Sequence, residues 1–202
     1  MPAALALGFR DPVFDAQASF RAAMWALARP GTPCPLDVAL APPAPLAPEA
    51  AALVLALCDY ETPLWLDAPL SAVPEVAAFL RFHAGAPLVG EPGEARFALI
   101  ADPRAMPGFE AFAQGTPEFP DASATLIVQI EGFTDEHFTD GGFMLEGPGI
   151  EGSVRFGAAP LPADFVARMA ANRALFPRGV DLLLAGAGHV AGLPRSVTVG
   201  EG

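Results

Sequence analysis

Between Ala124 and Ile130 the chain reads Ala124-Thr125-Leu126-Ile127-Val128-Gln129-Ile130, apolar with almost no interruption. A strand with one wet face alternates apolar and polar residues, whereas a continuous apolar run has to be covered on both sides. Arg96 to Ala101 carries the same buried-strand pattern. Two such strands predict a sheet with helices above and below it.

The remaining segments supply those helices. Asp11-Pro12 is a cap residue followed by proline at the first helical position, and Phe20, Met24, Leu27 and Ala28 then recur at helical spacing until Arg29-Pro30-Gly31. A helix over 12–28 follows. Residues 32–48 form a proline-rich connector (Pro33, Pro35, Pro42, Pro43, Pro45, Pro48) that includes Leu36 to Leu40, an alternating strand candidate. Pro48-Glu49 opens a second helix to Cys58, and Thr62 to Leu66 reads as a strand. A third helix begins at Ser71 or Pro74, gathers Val76, Phe79 and Leu80 on one side, and ends near His83-Ala84-Gly85. Phe143-Met144-Leu145 leads into Gly147-Pro148-Gly149. Leu161-Pro162 begins a helix whose Phe165 and Met169 share a face and which ends by Phe176-Pro177. Val180 to Leu184 and Ser196 to Val199 are read as two closing strands joined by a glycine-rich turn, a hairpin. Helices interleaved with strands and closed by a hairpin predict an α/β fold, a mixed sheet flanked by helices. At 202 residues the chain is expected to form one domain, 1–202, with the connector 32–48 inside it.

Composition removes several function classes. An apolar fraction of 52% against 17% charged residues is enough for a core. A net charge of -12 repels phosphate backbones and anionic lipid, so neither nucleic acid nor a membrane surface is expected as a partner. The longest apolar run, Ala50 to Cys58, falls well short of the ~20 residues of a membrane helix. Met1 to Phe9 has no basic leader, and the cytoplasm is the expected location. All eleven cationic side chains are arginine, and the absence of lysine excludes both a pyridoxal phosphate aldimine and a Walker-type phosphate loop. Cys34 and Cys58 are too far apart in sequence to suggest a chelating pair, and two thiolates are too few for an iron-sulfur cluster. They are read as reduced structural thiols, and no cofactor is expected.

The motifs are few. Gly147-Pro148-Gly149-Ile150-Glu151-Gly152 has the letters of a dinucleotide fingerprint, but Ser153 to Phe156 continues as strand or coil where that motif needs a helix. Gly186-Ala187-Gly188 is a turn. His83, His137 and His189 are scattered, with no metal-ligand spacing, and no serine elbow surrounds Ser123. Asp59 and Glu61, on either side of Tyr60, form an acidic pair at a helix–strand junction. Thr116 and Glu118 lie in a polar loop before the 124–130 strand. Arg195 stands beside Ser196, a guanidinium and hydroxyl able to grip an anion. Arg195, Thr116, Glu118, Asp59, Glu61 and His83 are therefore the candidates for ligand or interface contacts; no catalytic set and no metal site assembles from them.

Eight ordered segments carry a family likeness: Pro12 to Gln17 with Phe20-Arg21; Pro30-Gly31; Asp59 to Leu66; Leu80 to Leu88; Gly115-Thr116 with Pro120 to Ile127; Gly147 to Ile150; Phe176 to Leu182; and Leu193 to Ser196. In this order, over about residues 9–199, they resemble the PhnH family of the bacterial carbon-phosphorus lyase system. The resemblance implies a fold similar to the large domain of pyridoxal phosphate-dependent transferases without the cofactor. It also implies a homodimer that joins subunits G, I and J, and acts with G, I and L when a phosphonate displaces adenine from MgATP to give a ribose phosphonate triphosphate. Subunit J, a radical-SAM protein, later breaks the carbon-phosphorus bond. Two positions depart from the family pattern: Ser196-Val197 stand where two threonines are usual after Pro194-Arg195, and Ala84 follows His83 in place of threonine.

The leading expectation is thus an assembly subunit whose activity depends on partner chains. Two other readings stay open from the residues: a stand-alone small-molecule enzyme using Asp59, Glu61 and His83 as acid and base, and an anion-sensing module centred on Arg195.

Overall fold

The computed structural model describes residues 6–133 and 142–202. In chain order its elements are α1 (Pro12–Ala28), β1 (Cys34–Pro35), α2 (Pro48–Leu57), β2 (Leu64–Leu66), α3 (Ala68–Ser71), α4 (Pro74–His83), β3 (Leu88–Val89), β4 (Phe97–Ile100), β5 (Thr125–Gln129), β6 (Gly132–Phe133), β7 (Phe143–Glu146), β8 (Val154–Phe156), β9 (Ala158–Ala159), α5 (Phe165–Ala174), β10 (Asp181–Gly186), β11 (His189–Leu193) and β12 (Thr198–Glu201).

Seven strands join in the order β3-β2-β4-β5-β10-β11-β1. The first five of these run parallel, and β11 lies antiparallel to both β10 and β1. Register then sorts the side chains, because neighbours along a strand point to opposite faces. Leu99, Ile127 and Leu183 stand in one row and face a layer made by α1, α2 and α4. Ile100, Val128 and Leu184 form the next row and face the other way, toward Phe109, Phe112, α5 and the small sheet β12-β7-β8. The expected mixed α/β sheet with covered faces is present, and the continuous apolar runs are its central strands.

Helix α1 has the predicted ends, and Asp11 Oδ1 caps it by accepting the N–H groups of Val13 and Phe14 at 3.1 Å. Its core face differs from the expectation. Ser19, Ala22, Ala23 and Ala26 are buried, while Phe20 and Met24 lie outside. The reason is the close approach of β11: a methyl group on Gly192 would fall 2.6 Å from the backbone of Ala26. Only small side chains fit in that gap.

Two strand expectations are corrected. Leu36 to Leu40 forms no strand; pairing stops with Cys34–Pro35, after which the Leu36 amide donates to Gly188 O at 2.8 Å. Leu36 and Leu40 are nevertheless buried and their neighbours Asp37 and Ala39 exposed, so the alternation serves the core without a partner strand. The closing hairpin pairs β10 with β11, not with 196–199. Ala187 and Gly188, with φ of 51° and 73°, make its tight turn. Residues 198–201 instead form β12, which pairs with β7 in the small sheet.

Smaller differences have local causes. The strand expected from Thr62 starts at Leu64, because Thr62 is held in a turn. The third helix divides into α3, capped by Asp67, and α4, opening at Pro74. The glycines of 147–152 connect β7 to β8 as an antiparallel hairpin, so the fingerprint letters open no helix. His137 lies outside the described residues. Among the described residues no helix is long and apolar enough to cross a membrane.

Candidate functional site

Parallel sheets of this kind usually bind ligands beyond the carboxyl ends of their strands, at the point where strand order reverses. That point lies between β2 and β4, since β3 follows β2 on one side while β4 adds on the other. Here a side chain of the protein itself spans the gap. Asp67, the residue after β2, accepts the N–H groups of Ala101 at 2.7 Å and Asp102 at 2.9 Å through Oδ2. Its Oδ1 accepts from Leu70 at 3.3 Å, capping α3. The carboxyl group is 5% exposed as part of its residue, and burial raises its pKa although three amide bonds oppose that shift. Sequence reading passed over Asp67, yet Asp67-Ala68-Pro69 has the form of a helix cap followed by a first-turn proline.

The sequence candidates gather at the opposite, amino-terminal ends of the strands. Arg195 lies over the start of β10, and its Nε donates to Asp181 Oδ1 at 3.1 Å while Nη2 donates to Asp181 Oδ2. Nη1 donates to Pro120 O at 2.8 Å and to Pro177 O at 3.4 Å, and the Arg195 backbone N–H also reaches Asp181 Oδ1 at 2.8 Å. This two-pronged pair fastens the 193–196 segment to the loops before β5 and β10. An anion arriving at this guanidinium has to displace Asp181. Nearby, Thr116 Oγ1 accepts the Phe119 N–H at 3.0 Å and closes the polar loop on itself. Glu118 is exposed beside it.

Asp59, Glu61 and His83 follow the same pattern of separate, local engagement. Asp59 Oδ1 accepts from Thr62 Oγ1 at 2.7 Å and from the Glu61 N–H at 2.9 Å, and these bonds, the hydroxyl first, lower its pKa. Glu61 is exposed on the same turn. The His83 ring sits on Phe79, with centroids 4.6 Å apart, and its Nε2 is 2.9 Å from Ala6 O. A cavity of about 550 Å³ beside it is lined by Leu7, Arg10, Pro12, Ala16 and Leu55; neither Asp59 nor Glu61 lines it. Gly8 presses so near the imidazole that a methyl group there would lie 2.6 Å from Nδ1. The residues 6–10 thus form a strap across His83. Among the described residues no group of three or more His, Cys, Asp or Glu side chains is arranged to hold a metal ion.

Both cysteines are free thiols. Burial, with a smaller contribution from the Asp59 charge, pushes the Cys58 thiol up to about 12, and burial also raises Cys34 against the pull of Arg29.

Fold and site together define an α/β protein whose usual ligand crevice is bridged by its own carboxylate, with its polar candidates engaged at the far ends of the strands. The chain belongs to the PhnH family, the bacterial phosphonate metabolism proteins, whose family model matches residues 7–200. A curated relative from Rhizobium meliloti (strain 1021), named alpha-D-ribose 1-methylphosphonate 5-triphosphate synthase subunit PhnH, is 44% identical over 190 residues. That match covers 93% of this chain and 92% of the relative. The family read from the eight ordered segments is the one these comparisons return.

Proposed function

We propose that this chain is a subunit of an alpha-D-ribose 1-methylphosphonate 5-triphosphate synthase and serves the phosphonate-activating step in which adenine is displaced from MgATP. The observation that carries the reading is identity of 44% sustained along 93% of the chain to a relative that bears that name. The geometry supports a role exercised through contacts. Arg195 is engaged by Asp181, Asp59 by Thr62, and His83 by Ala6, so these candidates serve first to hold loops in place. Their outward neighbours, Glu61 and Glu118, are free to meet another chain. The partners in this reading are a second copy of the chain and subunits G, I and J, with L acting in the same step.

Two structural statements belong to the same proposal. The sheet corresponds to the large domain of pyridoxal phosphate-dependent transferases without its cofactor, a reading supported by the seven-stranded mixed order and by the absence of lysine. The chain forms one domain, 1–202, a reading supported by two apolar layers that draw on the same strands.

Reconstitution tests the function. Partner subunits supplied with ATP and methylphosphonate are expected to release adenine only when this chain is added, and the chain alone is expected to release none. Adenine release by the purified chain, or full activity of the partners without it, overturns the proposal.

A further inference from the structure

The hollow beside His83, of about 550 Å³, has the volume of an ordinary small-molecule site. Its walls are of two kinds. Leu7, Pro12, Ala16 and Leu55 are apolar, while Gly8, Phe9 and Arg10 bring the backbone of the strap to its edge. The strap is anchored on both sides. His83 Nε2 lies 2.9 Å from Ala6 O and carries the hydrogen of that bond, since a carbonyl can only accept. At the other side Asp11 is fixed by its capping bonds to Val13 and Phe14. Between these anchors the N–H groups of Gly8, Phe9 and Arg10 donate to no backbone oxygen of the described residues. The Arg10 side chain is exposed, and among the described residues it forms no ion pair. The carboxylates nearest in sequence, Asp11 and Asp15, are turned onto α1, where Asp15 Oδ2 accepts the Asp11 N–H at 3.0 Å, and neither lines the hollow.

We propose that this hollow binds a small alkylphosphonate, its oxyanion held by Arg10 and the strap N–H groups and its alkyl group lying on Pro12 and Leu55. The oxyanion follows from the geometry. A guanidinium and successive backbone N–H groups without partners can only donate, and they suit a ligand whose charged end only accepts. The net charge of -12 opposes anions at long range, so a site for one has to be built from local donors of this kind. The alkyl group follows from the apolar wall, which a bare inorganic anion would leave without a partner. The choice of phosphonate among organic oxyanions rests on the proposed function above. Gly8 is what lets the strap lie so close: a methyl group there would fall 2.6 Å from His83 Nδ1. The donors are thus held in place before a ligand arrives.

Titration calorimetry of the full chain at low salt, with methyl-, ethyl- and propylphosphonate and with inorganic phosphate, tests the site. All three phosphonates are expected to bind, each added methylene tightening binding about fourfold, the gain from burying one such group. Inorganic phosphate is expected to bind more weakly than any of them. Arg10→Gln is expected to weaken binding about tenfold or more, as loss of a charged donor does. Arg104→Gln, at an exposed arginine elsewhere on the surface, is expected to leave it unchanged. Gly8→Ala removes no donor but lifts the strap from His83, and it is expected to weaken binding as well. Equal losses from the two arginine variants would show a general effect of charge, and phosphate binding as tightly as propylphosphonate would show that the apolar wall is unused. Either result, unchanged binding in Gly8→Ala, or no binding at millimolar ligand overturns the site. Adenine release in the reconstituted system is read separately, so the subunit role stands or falls on its own measurement.

Discussion

Helices α1 and α4 lie in the same layer, and they use their large residues in opposite ways. Helix α4 turns Val76, Phe79 and Leu80 inward, all fully buried. Helix α1 turns alanines and Ser19 inward and holds Phe20, Met24 and Trp25 outward. The difference follows from what lies beneath each helix. Under α1 the strand β11 carries Gly192 at the point of contact, so the two backbones nearly touch and no larger side chain has room. Ser19 is accommodated there because its hydroxyl donates to Asp15 O within the same helix, at 2.8 Å. Among the described residues no strand glycine presses on α4, and the room taken up by its fully buried Phe79 and Leu80 marks the wider gap. Inward residue size therefore reports the distance to the next layer, and outward residue size reports what remains to be covered.

The largest expected effect comes from emptying the wider gap. Phe79→Ala removes a fully buried ring that also supports His83, and the expected loss is about 3–5 kcal/mol in urea unfolding. A loss under about 1 kcal/mol would mean that α4 does not anchor the layer. Filling the narrow gap comes next. Ala26→Leu forces α1 away from β11, with an expected loss of about 1–3 kcal/mol, the usual range for overpacking. A neutral result would show that the contact at Gly192 has room for a larger side chain and would remove the contrast between the helices.

This contrast also explains what could be read from the residues alone. The ends of α1 and the strands β4, β5 and β10 follow local rules: a capping aspartate, a proline, an apolar run. The side of α1 that faces inward follows from Gly192, more than 160 positions away, and periodicity carries no information about it. Strand β11 was hidden for the same reason, since Gly192 and His189 interrupt its apolar pattern while meeting needs set by α1 and by the turn. Leu36 to Leu40 shows the reverse error, true alternation in burial with no neighbouring strand to pair with. Site residues divide similarly. The Asp59–Thr62 turn is local and visible as a polar cluster. The bonds from Asp67 to Ala101 and Asp102, from Asp181 to Arg195, and from His83 to Ala6 join residues distant in sequence. Composition could name Arg195 as an anion-binding type of residue, but only the fold reveals that Asp181 already occupies it.

Between the two helices lies α2, and its end offers a test by pH. Cys58 is buried in the layer, with its thiol pushed up to about 12 from an ordinary value near 9.0. Above pH 9 the unfolded chain loses this proton and the folded chain keeps it, so stability falls as pH rises toward 12. The expected slope from this group is about 1.4 kcal/mol per pH unit. The lysine-free composition leaves few other groups to titrate in that window. Cys58→Ala is expected to flatten the alkaline decline relative to the wild-type chain, and an unchanged slope would mean that water reaches the layer between α1 and α4.

The smallest effect on folding is expected on the outer face of α1, and its smallness is informative. Phe20 is half exposed, so Phe20→Ala gives up little burial within one chain, and the free energy of unfolding in urea is expected to change by no more than about 0.5 kcal/mol. A large loss would place Phe20 among the residues that hold the chain itself together, and α1 would then resemble α4 after all.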